Sequence, residues 1–328
     1  MNSKPFISII TPVWNGIAFL KECIDSVLIQ DFEDWEMLIS DDGSTDGSRE
    51  FLNTISDERI KIFEQEKNLG IFGNLNFLFR RVKTEYSFVL CQDDYFTSTV
   101  SLSNVIDYWK NAQLDIGFVR FNHGIVSNCL LEKYQKKIIT ELIDKSRSAA
   151  FFLFFGNIPG NLSNVSLRNE IFNVAGYFRE DMPYAGDFEF WSRAASFMDI
   201  GISKQQITFI RRHENVASNL LNKKGELFSQ LYEIYEILIK KTANEFPLKS
   251  TITFFNLEIR AAHLRTAIKA SLAGNFHFFN AYGNPRSFII WNRAKQFFLI
   301  LPIALLPQNL RQRICLAIIR QSLAKWRG

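Results

Sequence analysis

Residues 6–28 read FISIITPVWNGIAFLKECIDSVL. The first five form a β-branched and aromatic run too short for a helix, whereas Leu20, Ile24, Val27 and Leu28 recur at helical spacing. Between them lies TPVWNG, with the proline, asparagine and glycine of a turn. The unit is strand, polar loop, helix, and it repeats. WEMLIS (35–40) is a second strand that ends at DDGSTDGS, whose Ser, Thr and Asp residues can cap a helix beginning near Ser48. RIKIF (59–63) gives a third strand, Asn68 to Val82 a helix, and EYSFVLC (85–91) a fourth strand that opens into QDDYF. Strands alternating with helices predict an α/β fold, a doubly wound and mostly parallel sheet covered on both faces. In such sheets ligands bind beyond the carboxyl ends of the strands, where TPVWNG, DDGSTDGS and QDDYF all emerge.

Further along, DIGFVRFN (115–122) reads as another strand, and LSNVSLRNEIFNVAGYF (162–178) as a strand, a short helix and a glycine turn. Asp187 and Glu189 open a helix, and from about 221 the chain is helical, with Leu227, Leu231, Ile234, Tyr235 and Leu238 on one face. Residues 123–160, a lysine-rich stretch and then FFLFFG, give no clear element. The expected organisation is an α/β domain over 1–220 and a helical, basic region over 221–328.

Length and composition fit this division: 328 residues, 47% of them apolar, suffice for one large core and an accessory part. The cysteines Cys23, Cys91, Cys129 and Cys315 are far apart and suggest neither a disulfide framework nor a zinc site. The N-terminus lacks the long apolar middle of a signal peptide, so a cytoplasmic location is expected. Net charge is +4, but beyond Glu258 there are eleven basic residues and no acidic one. That asymmetry suggests a polyanionic partner for the tail. The eleven apolar residues FFLILPIALLP (297–307) are too few to span a bilayer, which needs about twenty. Two readings stay open for them: an interfacial segment on an anionic membrane surface, or part of a C-terminal helical subdomain whose apolar face packs on the α/β domain. The following residues place Leu316, Ile319 and Leu323 on one face with basic residues elsewhere. Nucleic acid is not an expected partner, since the apolar content exceeds what phosphate contacts need.

Several nucleotide-binding signatures are missing. The first loop has no G-x-G-x-x-G, and no Walker G-x-x-x-x-G-K-[ST] occurs, which argues against a dehydrogenase or a P-loop NTPase. Asp42 to Asn53 partly imitates a calcium loop but has Asn53 where a bidentate glutamate belongs. What survives is a set of acidic loops at strand ends. Asp93 and Asp94 would repel one another unless a cation or hydrogen bonds compensate them, and a hard divalent cation on a diphosphate does so. A solvated turn is the plainer alternative. Asp187, at a helix start that favours its ionised form, is a candidate base, with an ordinary helix cap as its alternative.

Taken in order, ISIITPVWNG, EMLISDDGSTDGS, NLGIFGNLN, SFVLCQDDYF, AGDFEFWSRAA and FIRRHENVASN resemble the family 2 glycosyltransferases of the GT-A (nucleotide-diphospho-sugar transferase) fold, over roughly residues 6–219. The resemblance implies a loop of Thr11, Pro12, Trp14 and Asn15 around the nucleotide, with Trp14 against the base. It implies Asp41 on the base edge, and Asp42 shaping the turn. Asp93, beside Asp94, would bind Mn²⁺ or Mg²⁺, with His213 as a further metal or diphosphate ligand, and Asp187 would be the catalytic base of an inverting transfer. The implied partners are a nucleotide-diphosphate sugar and a sugar or lipid-linked sugar acceptor in the synthesis of bacterial cell-surface polysaccharide. The chain departs from the family pattern at Cys91, in place of the first acid of D-x-D, at Gly186, before the base, and at Gly73, where many members carry arginine. A nucleotidyltransferase-like enzyme and a non-catalytic relative are the alternatives.

Overall fold

The computed structural model describes residues 5–123, 129–139, 141–212, 225–283 and 293–324. The chain divides into two compact units, one of Met1–Ile125, Ile139–Ser148 and Asn157–Arg212, the other of Val126–Ile138, Ala149–Gly156 and His213–Gly328. Parts of the stretch that gave no clear element, 126–138 and 149–156, therefore belong with the second unit.

The first unit is built on an eight-stranded sheet. Its strands are β1 (Ile7–Val13), β2 (Trp35–Asp41), β3 (Ile60–Glu64), β4 (Tyr86–Val89), β6 (Ile116–Arg120), β7 (Leu142–Ile143), β8 (Val165–Arg168) and β9 (Asp199–Ile202), while β5 (Tyr95–Phe96) and β10 (Thr208–Phe209) form a separate pair. The order is β3-β2-β1-β4-β8-β6-β9-β7. β1 runs parallel to β2 and β4, β2 parallel to β3, and β6 parallel to β9. β8 is antiparallel to β4 and β6, and β7 to β9, so the sheet is mixed with a parallel half. All seven residues of β1 are buried, as a central parallel strand requires, and an unbroken apolar run is what such a position selects.

One face packs Ile7, Ile9, Val13, Met37 and Ile39 against Leu20, Ile24 and Val27 of the helix Ile17–Leu28. Those are the residues whose 3.6-residue spacing marked that helix. Truncating a fully buried member such as Ile9 or Leu20 to alanine costs about 2–5 kcal/mol.

The topology positions the site. The chain winds outward from β1 through β2 to β3, then returns to place β4 on the other side of β1. The carboxyl ends of β1 and β4 are therefore a topological switch point, the position at which open α/β sheets bind their ligands.

The second unit is helical among its described residues: Leu130–Ile138, Leu227–Lys241, Leu248–Phe255, Ala261–Leu272, His277–Gly283, Arg293–Leu305 and Gln308–Ala324. Phe154 packs between Phe246 and Phe254, at ring separations of 5.6 and 5.1 Å. Two basic residues of the tail are engaged within this unit. Arg265 donates from its guanidinium to the carbonyls of Ala304 and Leu306, and Arg311, buried, donates to the carbonyl of Leu257 at 2.9 Å. Part of the positive charge thus goes to backbone carbonyls, two at the end of the helix Arg293–Leu305 and one in the π-helical turn Asn256–Arg260. Arg311, Gln312, Cys315, Ile319, Ser322 and Leu323 form the buried face of the last helix, with Leu316 at its margin. No helix among the described residues is long and apolar enough to cross a membrane.

Candidate active site

β1 ends in a loop that is held almost atom by atom. The amide of Asn15 donates to Ser44 Oγ at 2.8 Å, and Asn15 Oδ1 accepts from the Thr45 amide at 2.8 Å. Gly16 N–H reaches Ser48 Oγ at 3.0 Å and Ile17 N–H reaches Asp46 Oδ2 at 3.0 Å. Asn15 takes a left-handed conformation, φ 49°, which asparagine tolerates better than most residues. Burial acts to raise the Asp46 carboxyl, but the Ser48 hydroxyl and the Ile17 and Ser48 amides outweigh it and leave it below its ordinary value. Trp14 lies at the loop's exposed tip with 47% of its surface open to solvent, available for a flat ligand to stack on.

The loop after β2 carries a buried charge. Asp41 is fully buried, and its Oδ2 accepts from Arg49 Nε at 3.1 Å, Arg49 Nη2 at 3.0 Å and the Ser44 amide at 3.2 Å. Its other oxygen, Oδ1, is buried without a partner, and so is Thr11 Oγ1. Register pairs Thr11 with Ile39 and Val13 with Asp41, so Thr11 and Asp41 share one face of adjacent strands at the carboxyl edge. Two orphaned polar atoms on one face mark a place where an incoming N–H or O–H would be gained rather than exchanged. Asp42 points elsewhere. It accepts from the Leu69 amide at 2.7 Å, and burial lifts its carboxyl above the ordinary value despite that bond.

Beyond β4, Gln92 pairs with the backbone of Trp14, accepting from its N–H at 2.8 Å and donating to its carbonyl at 2.9 Å. The two loops of the switch point are thereby locked together. Gly16 makes this possible, since a Cβ there would lie 2.2 Å from Gln92 Oε1. Asp94 is buried and accepts at Oδ1 from the Arg211 amide at 2.9 Å. Burial first, and the neighbouring charge of Asp93 second, push the Asp94 carboxyl up to about 6, against bonds from Ser163 and Arg211. Asp93 is only partly buried and its carbonyl accepts from Arg211 Nε at 3.0 Å. Cys91 donates its amide to Ser163 Oγ at 2.9 Å, while burial and the charges of Asp94 and Asp93 hold its thiol far above the ordinary value. It stays a neutral thiol, and of the side chains on this loop the carboxylates next to it are the ones whose chemistry suits a hard cation. Among the described residues no group of three or more His, Cys, Asp and Glu converges as a ready-made metal cage. Two carboxylates whose charges oppose one another still fit a cation that takes its remaining oxygens from a diphosphate and water. His213 lies outside the described residues.

Asp187 is the second residue of the helix Gly186–Ala194. Its Oδ1 accepts from the Phe188 amide at 2.8 Å and its Oδ2 from Asn157 Nδ2 at 2.8 Å. Sequence reasoning expects a helix start to favour the ionised form; here desolvation by burial outweighs both bonds and raises the carboxyl to about 6. Gly186 also receives its explanation. A Cβ at that position would lie 2.6 Å from the ring of Phe72, itself stacked on Phe178 at 5.4 Å, so the glutamate of the family pattern has no room. At Gly73 a side chain would meet Leu69 Cβ at 3.0 Å and approach Glu180.

Segment 157–164 ties these parts together, reaching Asp187 through Asn157 and Cys91 through Ser163. Gln92, Arg49, Asn157, Ser163 and Arg211 were not singled out from sequence; all but Arg49, eight residues from Asp41, act on partners thirty or more positions away. Only Gln92, inside the acidic loop itself, gave a local signal.

Residues 8–169 match the family model described as Glycosyl transferase family 2. An uncharacterized glycosyltransferase of Rickettsia felis is 26% identical over 236 residues, 70% of this chain and 38% of that protein. A glycosyltransferase of Bacillus subtilis named for teichuronic acid biosynthesis is 39% identical over 95 residues, 28% of this chain and 38% of that protein. The matches thus span well under half the length of these two relatives. Among solved structures, residues 1–349 of Staphylococcus aureus TarS in complex with UDP-GlcNAc align over 96% of this chain and 88% of that one, at TM-score 0.61 and 17% identity. The mannosyltransferase PcManGT of Pyrobaculum calidifontis, in complex with GDP-Man and Mn²⁺, aligns over 98% of this chain and 87% of that one, at TM-score 0.50 and 16% identity. At such identities the likeness is one of fold.

Proposed function

The chain belongs to glycosyltransferase family 2 and has its GT-A fold, and from that premise we propose that it moves a sugar, with inversion at the anomeric carbon, from a nucleotide-diphosphate sugar to an acceptor hydroxyl. The observation that carries this reading is the pair of buried, partnerless atoms Thr11 Oγ1 and Asp41 Oδ1 at the edge of β1 and β2. Asp41 Oδ1, on a carboxylate already fixed by Arg49, is shaped to accept an N–H from a nucleobase. Thr11, Pro12, Trp14 and Asn15 would then hold the nucleoside, Trp14 from its exposed side, while Asp42 keeps the turn in place through Leu69.

Asp93, with Asp94 beside it, would hold a Mn²⁺ or Mg²⁺ ion, whose contribution is Lewis-acid stabilisation of the diphosphate leaving group. Asp187 takes the proton from the acceptor hydroxyl, whose oxygen forms the new bond to the anomeric carbon as the bond to the diphosphate breaks. The electron pair leaves on the diphosphate oxygen. We place the reaction in cell-surface polysaccharide or lipid-linked sugar synthesis, in keeping with the Bacillus subtilis relative's name. A peripheral position on the inner face of a membrane belongs to the same proposal, supported by the solvent-facing Leu299, Leu305 and Leu310 in a segment with no acidic residue.

Thermal-shift measurements with UDP-, GDP-, dTDP- and CMP-sugars in the presence of Mn²⁺ test the donor assignment. One base class should raise Tm and the others should not, with Asp41→Ala abolishing the response. Equal indifference to all four would contradict the proposal.

A further inference from the structure

We propose that Asn157 is the positioning residue that aims the carboxylate of Asp187, a role that rests on the assignment of Asp187 as the base. Three observations separate this from an ordinary turn asparagine. First, the turn that Asn157 begins already has its closing backbone bond, with Gly160 N–H donating to the Asn157 carbonyl at 3.1 Å. The side chain is therefore not needed to make the turn. Second, the short bond of the side-chain amide goes across the fold, from Nδ2 to Asp187 Oδ2 at 2.8 Å, while its contact with the Gly160 carbonyl is long at 3.3 Å. Both groups facing the NH₂ end are acceptors, which fixes the amide's orientation. Third, Asn157 Oδ1 is buried without a partner. An amide retained for structure alone would use both ends, since a buried acceptor left unsatisfied costs roughly 1–3 kcal/mol.

The geometry defines what this bond does. Phe188 N–H occupies one Asp187 oxygen and Asn157 the other, so the carboxylate cannot rotate without breaking a bond. Its remaining lone pairs then have fixed directions, which is what a base needs to meet a substrate proton in line. The charged neighbours on the same helix are engaged elsewhere, Arg193 with Glu189 at 2.7 Å, and Glu180 accepts from Asn76 at 3.0 Å. Burial works against the ionised form of Asp187, and the Asn157 and Phe188 donors work for it.

Carbon-13 NMR of the full chain labelled at aspartate carboxyls tests this directly, with the Asp187 resonance assigned by its loss in Asp187→Asn. Asn157→Ala should move the Asp187 titration upward by about half a unit or more, and Asn157→Asp, which sets a second carboxylate beside the first, should move it further. A midpoint unchanged in both folded variants would overturn the proposal. Should either variant fail to fold, the wild-type protein answers alone: the side-chain amide resonance of Asn157 must shift with pH in step with Asp187, and a pH-independent resonance would overturn the proposal. Full transfer by Asp187→Asn would instead remove the base assignment while leaving the titration result intact, so the two failures are distinguishable.

Discussion

The side-chain amide of Gln92 pairs with both backbone polar groups of Trp14, at 2.8 and 2.9 Å, and so joins the loop after β4 to the loop after β1. The first loop carries the acidic pair Asp93 and Asp94; the second carries the proposed nucleoside contacts. On the proposed assignment, one residue would couple the base end of a donor to its diphosphate end.

Replacing Gln92 by alanine removes two bonds whose partners lie at an exposed tip. Donor affinity should fall by roughly 1–2 kcal/mol, about five- to thirtyfold, with little loss of Tm. Gly16→Ala should act in the same direction, because its Cβ would occupy the space of Gln92 Oε1. Calorimetric titration with the nucleotide sugar checks both, and an unchanged Kd in Gln92→Ala would show the coupling to be idle.

Arg49 is the cation that accompanies the buried Asp41, at 3.0 Å. Arg49→Leu leaves that carboxylate with the Ser44 amide alone and should lower stability by roughly 2–3 kcal/mol, less than a fully buried pair because Arg49 is partly exposed. Chemical denaturation measures the loss. The double variant Arg49→Leu with Asp41→Leu should recover a large part of it, since no unpaired charge then remains.

The pH dependence of turnover should show an acid limb near 6, because Asp187 must be ionised to act and burial raises its carboxyl to about 6. Stability runs the opposite way. With the folded value above the unfolded one, the protonated group contributes stability at low pH that is lost as pH rises through about 6. Asp187→Asn should therefore raise Tm at pH 8 relative to wild type and leave it nearly unchanged at pH 4. A turnover profile flat down to pH 4.5 would contradict the ionisation requirement.

Asp93 and Asp94 should separate by experiment. Asp93→Ala should remove the dependence of donor binding on Mn²⁺ while leaving Tm close to wild type, because Asp93 is partly exposed. Asp94→Ala should lower Tm as well, since its carboxylate accepts the Arg211 amide from a buried position. Binding titrations with and without Mn²⁺, beside melting curves, make the comparison.

The legible part of this molecule was its parallel half. Apolar runs such as that of β1 and the helical spacing of Leu20, Ile24 and Val27 are local signals, and the loops that follow the strands are fixed by topology once the strands are known. Asp41 and Asp187 stood out because acids at strand ends and helix starts are conspicuous in sequence. Asn157 did not, for its meaning lies in a partner thirty positions away. The lysine-rich stretch and FFLFFG resisted reading because 126–138 and 149–156 complete a different unit from the strands around them. The charge of the tail was legible only as a total, since a count along the chain cannot show that Arg265 and Arg311 donate to carbonyls within the helical unit.

The most direct test of the account is a paired measurement on Asp187→Asn: transfer from the nucleotide sugar that stabilises the wild-type protein, and affinity for that same donor. The account predicts transfer reduced by about a thousandfold or more, in line with loss of a general base and its alignment, with donor Kd within about threefold of wild type. Transfer at the wild-type rate, or loss of donor binding in place of loss of transfer, would contradict it.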